Sequence, residues 1–345
     1  VNTAAVDAIQ SGTPQQSTPA AASGEAGATA FLGSATVLNE YPAETYAGIE
    51  DSCKDTVGIV FLGRAGGEGG DLYAEAYDDG TPHQLALTDT ERGVLDFAKK
   101  NCAGVVVVLN SCNTMQVGEL EDDPDIDAVI TMCTPGAVGF KSLGKILNGT
   151  VNPSGKTVDT FVADCTLTPT YVNFNKGDGA TSYSNASYTR DIWLSKFKGG
   201  ADFDARFREY EEGVYMGYRW YETAADMDYF TSDNLPDGVT DPYYNRDNGV
   251  VYPFGYGLSY TTFTQKISSF SESGNTVTVS VDVTNTGKVA GKDVVQLYYT
   301  APYTDFDVEN MIEKSTVNLL DYGKTKLLEP GESDTVTITF NKEDM

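Results

Sequence analysis

Gly58-Ile59-Val60-Phe61-Leu62-Gly63-Arg64-Ala65-Gly66-Gly67-Glu68-Gly69-Gly70-Asp71 runs an apolar strand into a glycine-rich loop that holds one carboxylate at its centre. Glycines let a backbone turn tightly and let a ligand approach it closely. Open α/β sheets place their ligands beyond the carboxyl ends of the strands. If the neighbouring segments supply parallel strands and helices, this loop is where the chemistry of the chain lies.

They do. Thr88-Asp89-Thr90-Glu91 has the spacing of a capping box and predicts a helix over 89–100, with Val94, Leu95 and Ala98 on one face. Gly104-Val-Val-Val-Val-Leu109 is apolar on both faces, as a central parallel strand requires. A short strand is expected over 126–132, a helix over 135–148 with Gly149 just past its end, and a last strand over 157–162 after Asn152-Pro-Ser-Gly-Lys156. Before the first strand, 40–55 predicts a short helix, and 1–36 reads as loop or linker. The alternation of strand and helix predicts an α/β fold, with an α/β sandwich domain spanning 1–165 and carrying the glycine loop.

From 166 to 260 the pattern breaks into an aromatic, polar connecting segment, expected to pack on its neighbours, with a short helix over 207–221. After Tyr260 the period becomes two. Val277, Val279, Val281 and Val283 alternate with Thr278, Ser280, Asp282 and Thr284, and Asn285-Thr286-Gly287 makes a turn. Further strands are expected over 294–299 and 335–340. Short, turn-bounded strands over 261–345 predict an incomplete β-sandwich of immunoglobulin type.

Composition narrows the function. The 345 residues carry 50 acidic and 23 basic side chains, a net charge of −27. Nucleic acid binding needs Lys and Arg to displace counterions, so it is not expected; anionic membranes and phosphate-rich substrates are disfavoured too, whereas a neutral sugar is not. No apolar run reaches the length of about 18 residues that suggests a membrane span. Five cysteines without a CxxC pair read as buried reduced thiols. Together with a start that lacks the pattern of a secretory signal, they give the expectation of a cytoplasmic protein. Asn148-Gly-Thr and Asn185-Ala-Ser fit short glycosylation sequons of low specificity.

The motifs Gly63-Arg-Ala-Gly-Gly-Glu68-Gly-Gly-Asp71, Val105 to Asn110, Asn152 to Lys156, Tyr210-Glu-Glu-Gly-Val-Tyr-Met-Gly-Tyr-Arg219-Trp-Tyr221 and Tyr252-Pro-Phe-Gly-Tyr-Gly-Leu-Ser-Tyr260 follow one another in a fixed order. In that order they resemble the β-glucosidases of glycoside hydrolase family 3, from about Val57 onward. The resemblance implies three parts: a (β/α) barrel with the aspartate nucleophile, an α/β sandwich and a fibronectin type III-like domain. This chain matches the second and third. By position Glu68 matches the family's general acid/base, so the resemblance implies a retaining β-glycosidase acting on terminal β-linked sugars, without a cofactor. The barrel part of the same enzyme is the implied partner, a homo-oligomer is possible, and the isolated chain is expected to hydrolyse nothing. The chain departs from the family at Leu72, where an arginine is common, and at Gly70, where an aromatic residue is common. Both departures bear on the aglycone side of the site.

The remaining candidates are weighed by their surroundings. Asp71 is a substrate-binding candidate, or a turn cap acting through its side chain. His83, the only histidine, sits in a polar stretch with no Ser or Cys arrangement near it in sequence; it is expected at the surface or rim, with a possible contact to a sugar. Glu211 and Glu212 are expected to pair, buried, with Arg208 or Arg219. The aromatic stripe around Trp220 is expected to be core. A nucleotide loop lacks both Gly-Lys-Ser/Thr and GxGxxG spacing. The acids Glu68, Asp71, Glu75, Asp78 and Asp79 do not fit a calcium loop. The alternative from another class is a non-catalytic carbohydrate-binding or assembly module in which Glu68 is idle.

Overall fold

The computed structural model describes residues 2–17, 38–64, 80–173, 210, 212–229 and 249–345. Its contacts divide the chain into two units: Val1–Asn113 with Asp123–Thr131 and Asp164–Gly213, and Thr114–Asp122 with Met132–Ala163 and Val214–Met345. Glu68, Asp71 and the rest of the acidic run lie outside the described residues, as do Arg208 and Glu211.

In the first unit, the helix Thr3–Ser11 begins at Asn2, whose side chain accepts from the N–H groups of Ala4 and Ala5. Strands β1 (Gln15–Ser17) and β2 (Leu38–Glu40) pair antiparallel. The helix expected over 40–55 is broken. A 3₁₀ turn, Ala43–Tyr46, and a single helical turn, Glu50–Cys53, are separated by Gly48 at φ +90°, a backbone state that suits glycine and ends a helix.

The strand opening the glycine loop is β3 (Val57–Gly63). It pairs in parallel with β4 (Gly104–Asn110), and β4 with β5 (Ala128–Thr131), in the order β3-β4-β5. The central place and two-sided burial expected of β4 hold: Val105, Val107 and Leu109 are buried on one face and Val108 on the other. The helix Asp89–Asn101 connects β3 to β4. Its capping box is formed, with Thr88 Oγ1 accepting from Glu91 N and Glu91 Oε2 accepting from Thr88 N. Leu95 and Ala98 bury its inner face. Gly58 lets that packing close, since a Cβ there would stand 3.0 Å from Cys102 Sγ and 3.2 Å from Ala98 Cβ. β5 is shorter than expected.

The second unit contains the helices Gly118–Glu121 and Gly136–Leu147, the latter followed by Gly149 at φ +76° as the sequence indicates. The strand expected over 157–162 shrinks to β6 (Phe161–Val162), which pairs antiparallel with β7 (Val250–Tyr252). The cause is local. Thr157 bonds to the turn after β7, its N–H to Tyr256 O, its carbonyl to Gly255 N and its hydroxyl to Pro253 O, leaving no ladder for residues before Phe161. Two of the ordered motifs meet here. Asn152 Oδ1 accepts from Ser259 Oγ and Tyr260 N, Asn152 Nδ2 donates to Ala290 O, and Lys156 Nζ donates to Gly257 O.

Of the helix expected over 207–221, positions 207–209 and 211 lie outside the described residues; the described part is helical at Tyr218–Asp226, starting directly after Gly217 at φ +53°. Its aromatic stripe is packing, as expected. Tyr218 stacks on Phe254 with centroids 4.7 Å apart, Tyr221 is buried, and Trp220 meets Tyr215 and Tyr229 edge-on. Arg219 is exposed, its guanidinium 5.9 Å from the Tyr218 ring centroid, so the buried pairing expected of it is not formed.

The alternating segments form β8 (Phe263–Ser273), β9 (Thr276–Asn285) and β10 (Val294–Tyr299), followed by a turn of helix, Asp305–Glu309, then β11 (Asn318–Lys324) and β12 (Ser333–Asn341). One antiparallel sheet has the order β12-β9-β8 and the other pairs β10 with β11. The four alternating valines of β9 are all buried, with Val295, Leu328, Val336 and Ile338, in one cluster. The outward residues pair hydroxyl to hydroxyl across β9 and β12: Thr278 with Thr339, Ser280 with Thr337 and Thr284 with Ser333.

Asn285, which ends β9, is fully buried and fully satisfied. Its Oδ1 accepts from Thr261 Oγ1 and Gly287 N, and its Nδ2 donates to Val289 O and Leu328 O. Asn285→Ala takes one hydrogen bond from each of those partners, Leu328 O keeping only Gly291 N, and is expected to cost about 2 kcal/mol. Amide hydrogen exchange at Val279 and Val283 reads the loss, and unchanged protection there contradicts it.

Candidate active-site neck and the family match

The backbone enters the glycine loop through Arg64. The ladder of β3 continues one residue past the strand, Arg64 N donating to Asn110 O at 3.3 Å. The Arg64 side chain turns inward, where it and Glu91 are 0% and 1% exposed. Nη1 and Nη2 reach the two carboxylate oxygens of Glu91 at 2.6 and 2.8 Å, a bidentate pair. The other donors go to backbone carbonyls: Nε to Gln84, Nη1 to Gly63 and Nη2 to Ala86. A buried guanidinium needs such complete satisfaction, because an unpaired charge in low dielectric is costly.

Sequence reasoning read Glu91 only as a helix cap and missed its second partner. The signal was present: an arginine at the end of an apolar strand, facing a capping glutamate on the helix that packs against that strand.

His83 corrects its expectation. The ring is 4% exposed, so it is buried and not at a rim. Its Nδ1 accepts from Leu85 N at 3.2 Å, and its ring nitrogens lie 3.8 and 3.9 Å from Cys165 Sγ. A cysteine therefore does stand beside the histidine, brought there by the fold across a sequence distance that hides it. The pair is not an activated nucleophile: burial, with the charge of Asp164, pushes the Cys165 thiol up to about 12.

None of the five cysteines is in a disulfide, and Cys112 and Cys133 are exposed, against the expectation that all five are buried. Alkylation of native protein with iodoacetamide near pH 8 is expected to label Cys112 and Cys133 first and to spare Cys165; mass mapping that finds Cys165 labelled as fast as Cys112 contradicts this.

An apolar cavity of about 300 Å³ lies in the same unit, lined by Ile9, Tyr46, Ile49, Val60, Val94 and Phe97 among others. Its lining also includes Glu91, whose carboxylate is held by Arg64, and the thiols of Cys53 and Cys102. Among the described residues no cluster of His, Cys, Asp or Glu could hold a metal ion, and no helix is long and apolar enough to cross a membrane.

The comparisons with known proteins agree with the family resemblance. Residues 6–218 match the family model of the glycosyl hydrolase family 3 C-terminal domain. Beta-glucosidase A of Butyrivibrio fibrisolvens is 32% identical over 274 residues, which is 75% of this chain and 27% of that relative. A beta-glucosidase of Ruminococcus albus is 30% identical over 288 residues, 83% of this chain and 24% of that relative. The crystal structure of a beta-glucosidase from Paenibacillus barengoltzii aligns with a TM-score of 0.61 and 28% identity, over 88% of this chain and 27% of that one. The chain thus spans about a quarter of the length of these relatives. With the family model matched over more than half its residues, this chain belongs to glycoside hydrolase family 3.

Proposed function

We propose that this chain supplies the general acid/base, Glu68, of a retaining β-glycosidase whose nucleophile stands on a barrel domain outside these 345 residues. The observation that carries the reading is positional. Glu68 follows β3 by a few residues in a glycine-rich segment, beyond the carboxyl end of a parallel strand, within the stretch matched by the family.

In such an enzyme one carboxylate attacks the anomeric carbon while the other protonates the departing oxygen and later deprotonates water. Glu68 takes the second role. Its carboxyl must be protonated when substrate binds, so that it can give its proton to the departing oxygen. Asp71 is assigned to orient the loop or the sugar. His83 follows that segment in sequence, with its ring buried beside Cys165. The names of the relatives favour a terminal β-linked glucosyl residue as substrate.

The same reading takes 1–165 as the α/β sandwich, 166–260 as its connecting segment and 261–345 as a fibronectin type III-like part, which the shared core of β9, β10 and β12 supports. The test compares the pure chain with the full-length enzyme on an aryl β-glucoside. The chain alone is expected to give no turnover and the full-length enzyme to give it. Turnover by the chain alone, or none by the full-length enzyme on any β-glycoside, overturns the reading.

A further inference from the structure

We propose that Arg64 and Glu91 are a positioning pair for the acid/base: one buried guanidinium ties together both ends of the segment that carries Glu68. The inference rests on the reading of Glu68 given above. Arg64 precedes that segment and Gln84 and Ala86 follow it. The guanidinium holds the near end through Gly63 O and the far end through Gln84 O and Ala86 O. Glu91 fixes the guanidinium itself, and is in turn fixed by Thr88 N at the start of the helix. Five hydrogen bonds occupy the five N–H donors of one arginine.

Fold stability does not call for such a pair. Well-packed apolar side chains in place of a buried ion pair are often neutral or stabilising. What the pair supplies is direction: a planar fork with fixed angles, which sets the separation and register of the two chain ends it joins. A proton donor gains from that, because a misplacement of about 1 Å costs about 100-fold in rate. Lysine at 64 would keep the charge and lose the fork.

The experiment uses the full-length enzyme with Arg64→Lys, and with the charge-free pair Arg64→Met/Glu91→Leu as the variant that leaves no buried charge unpaired. kcat/KM is measured on two β-glucosides, one with an alkyl aglycone that needs protonation and one with a dinitrophenyl aglycone that does not. Circular dichroism and thermal melting are followed in parallel. The expected result is a loss of about 10- to 100-fold on the alkyl glucoside with a loss of under about 3-fold on the dinitrophenyl glucoside, and a shifted limb in the pH profile of the alkyl substrate. Equal loss on the two substrates, or no loss in a folded variant, overturns the inference. Glu68→Ala in the same assay separates the two claims. If it shows the aglycone dependence and the Arg64 variants do not, the clamp alone fails; if it shows none, the assignment of Glu68 fails and the clamp with it.

Discussion

Glu68→Ala in the full-length enzyme lowers kcat/KM on an unactivated alkyl β-glucoside by about 10²–10⁴-fold, the range that positioned proton transfer supplies. On a dinitrophenyl β-glucoside the same variant keeps most of its kcat/KM, because that aglycone departs without a proton. Its kcat falls, because the glycosyl-enzyme now waits for water without a base to activate it. Azide changes this second result. It is already an anion and attacks the anomeric carbon without surrendering a proton, so it restores kcat and yields the β-glycosyl azide. The β configuration of that product reports two inversions, and hence a covalent intermediate on a separate nucleophile. Wild-type activity in Glu68→Ala sinks the assignment, and so does loss without azide rescue.

Some of this protein is written in local sequence and some is not. The alternating valines of β9, the capping box at Thr88 and Glu91 and the two-sided apolar run of β4 are legible because each depends on neighbours within one element. The elements that differ from expectation were decided elsewhere. The strand expected over 157–162 lost residues to a turn almost a hundred positions away, through the four bonds of Thr157. Within the described part of the helix expected over 207–221, the helical turns begin only after Gly217, which adopts positive φ.

The site follows the same division. The glycine-rich segment marks where to look, because glycine patterns are local. The burial of His83 against Cys165 is a contact between segments of which a polar stretch gives no sign, whereas the second partner of Glu91 was signalled by an arginine closing an apolar strand opposite the capped helix.

Glu91→Ala is expected to destabilise the first unit by about 3–5 kcal/mol, the cost of removing one partner from a buried ion pair. Arg64 then keeps its carbonyl contacts but loses the bidentate carboxylate of Glu91. The cap at Thr88 N goes at the same time, which adds about 1 kcal/mol. Arg64→Met carries a cost in the same range, since it strands the carboxylate in turn. The double variant Arg64→Met/Glu91→Leu is expected to recover part of either loss, because neither charge then remains to be desolvated, while the carbonyls of Gly63, Gln84 and Ala86 and the N–H of Thr88 still lose these bonds. The surface pair of Arg92 with Asp89, with side chains 40% and 83% exposed, is the internal control: breaking it costs at most about 1 kcal/mol, and that contribution fades as salt is added. Hydrogen exchange at the amides of β3 and β4 measures each variant in the full-length protein without requiring its domains to unfold together. Additive losses in the double variant contradict direct coupling of Arg64 to Glu91. A large negative interaction energy that persists in high salt is the expected signature, because water and ions do not reach a pair buried this deeply.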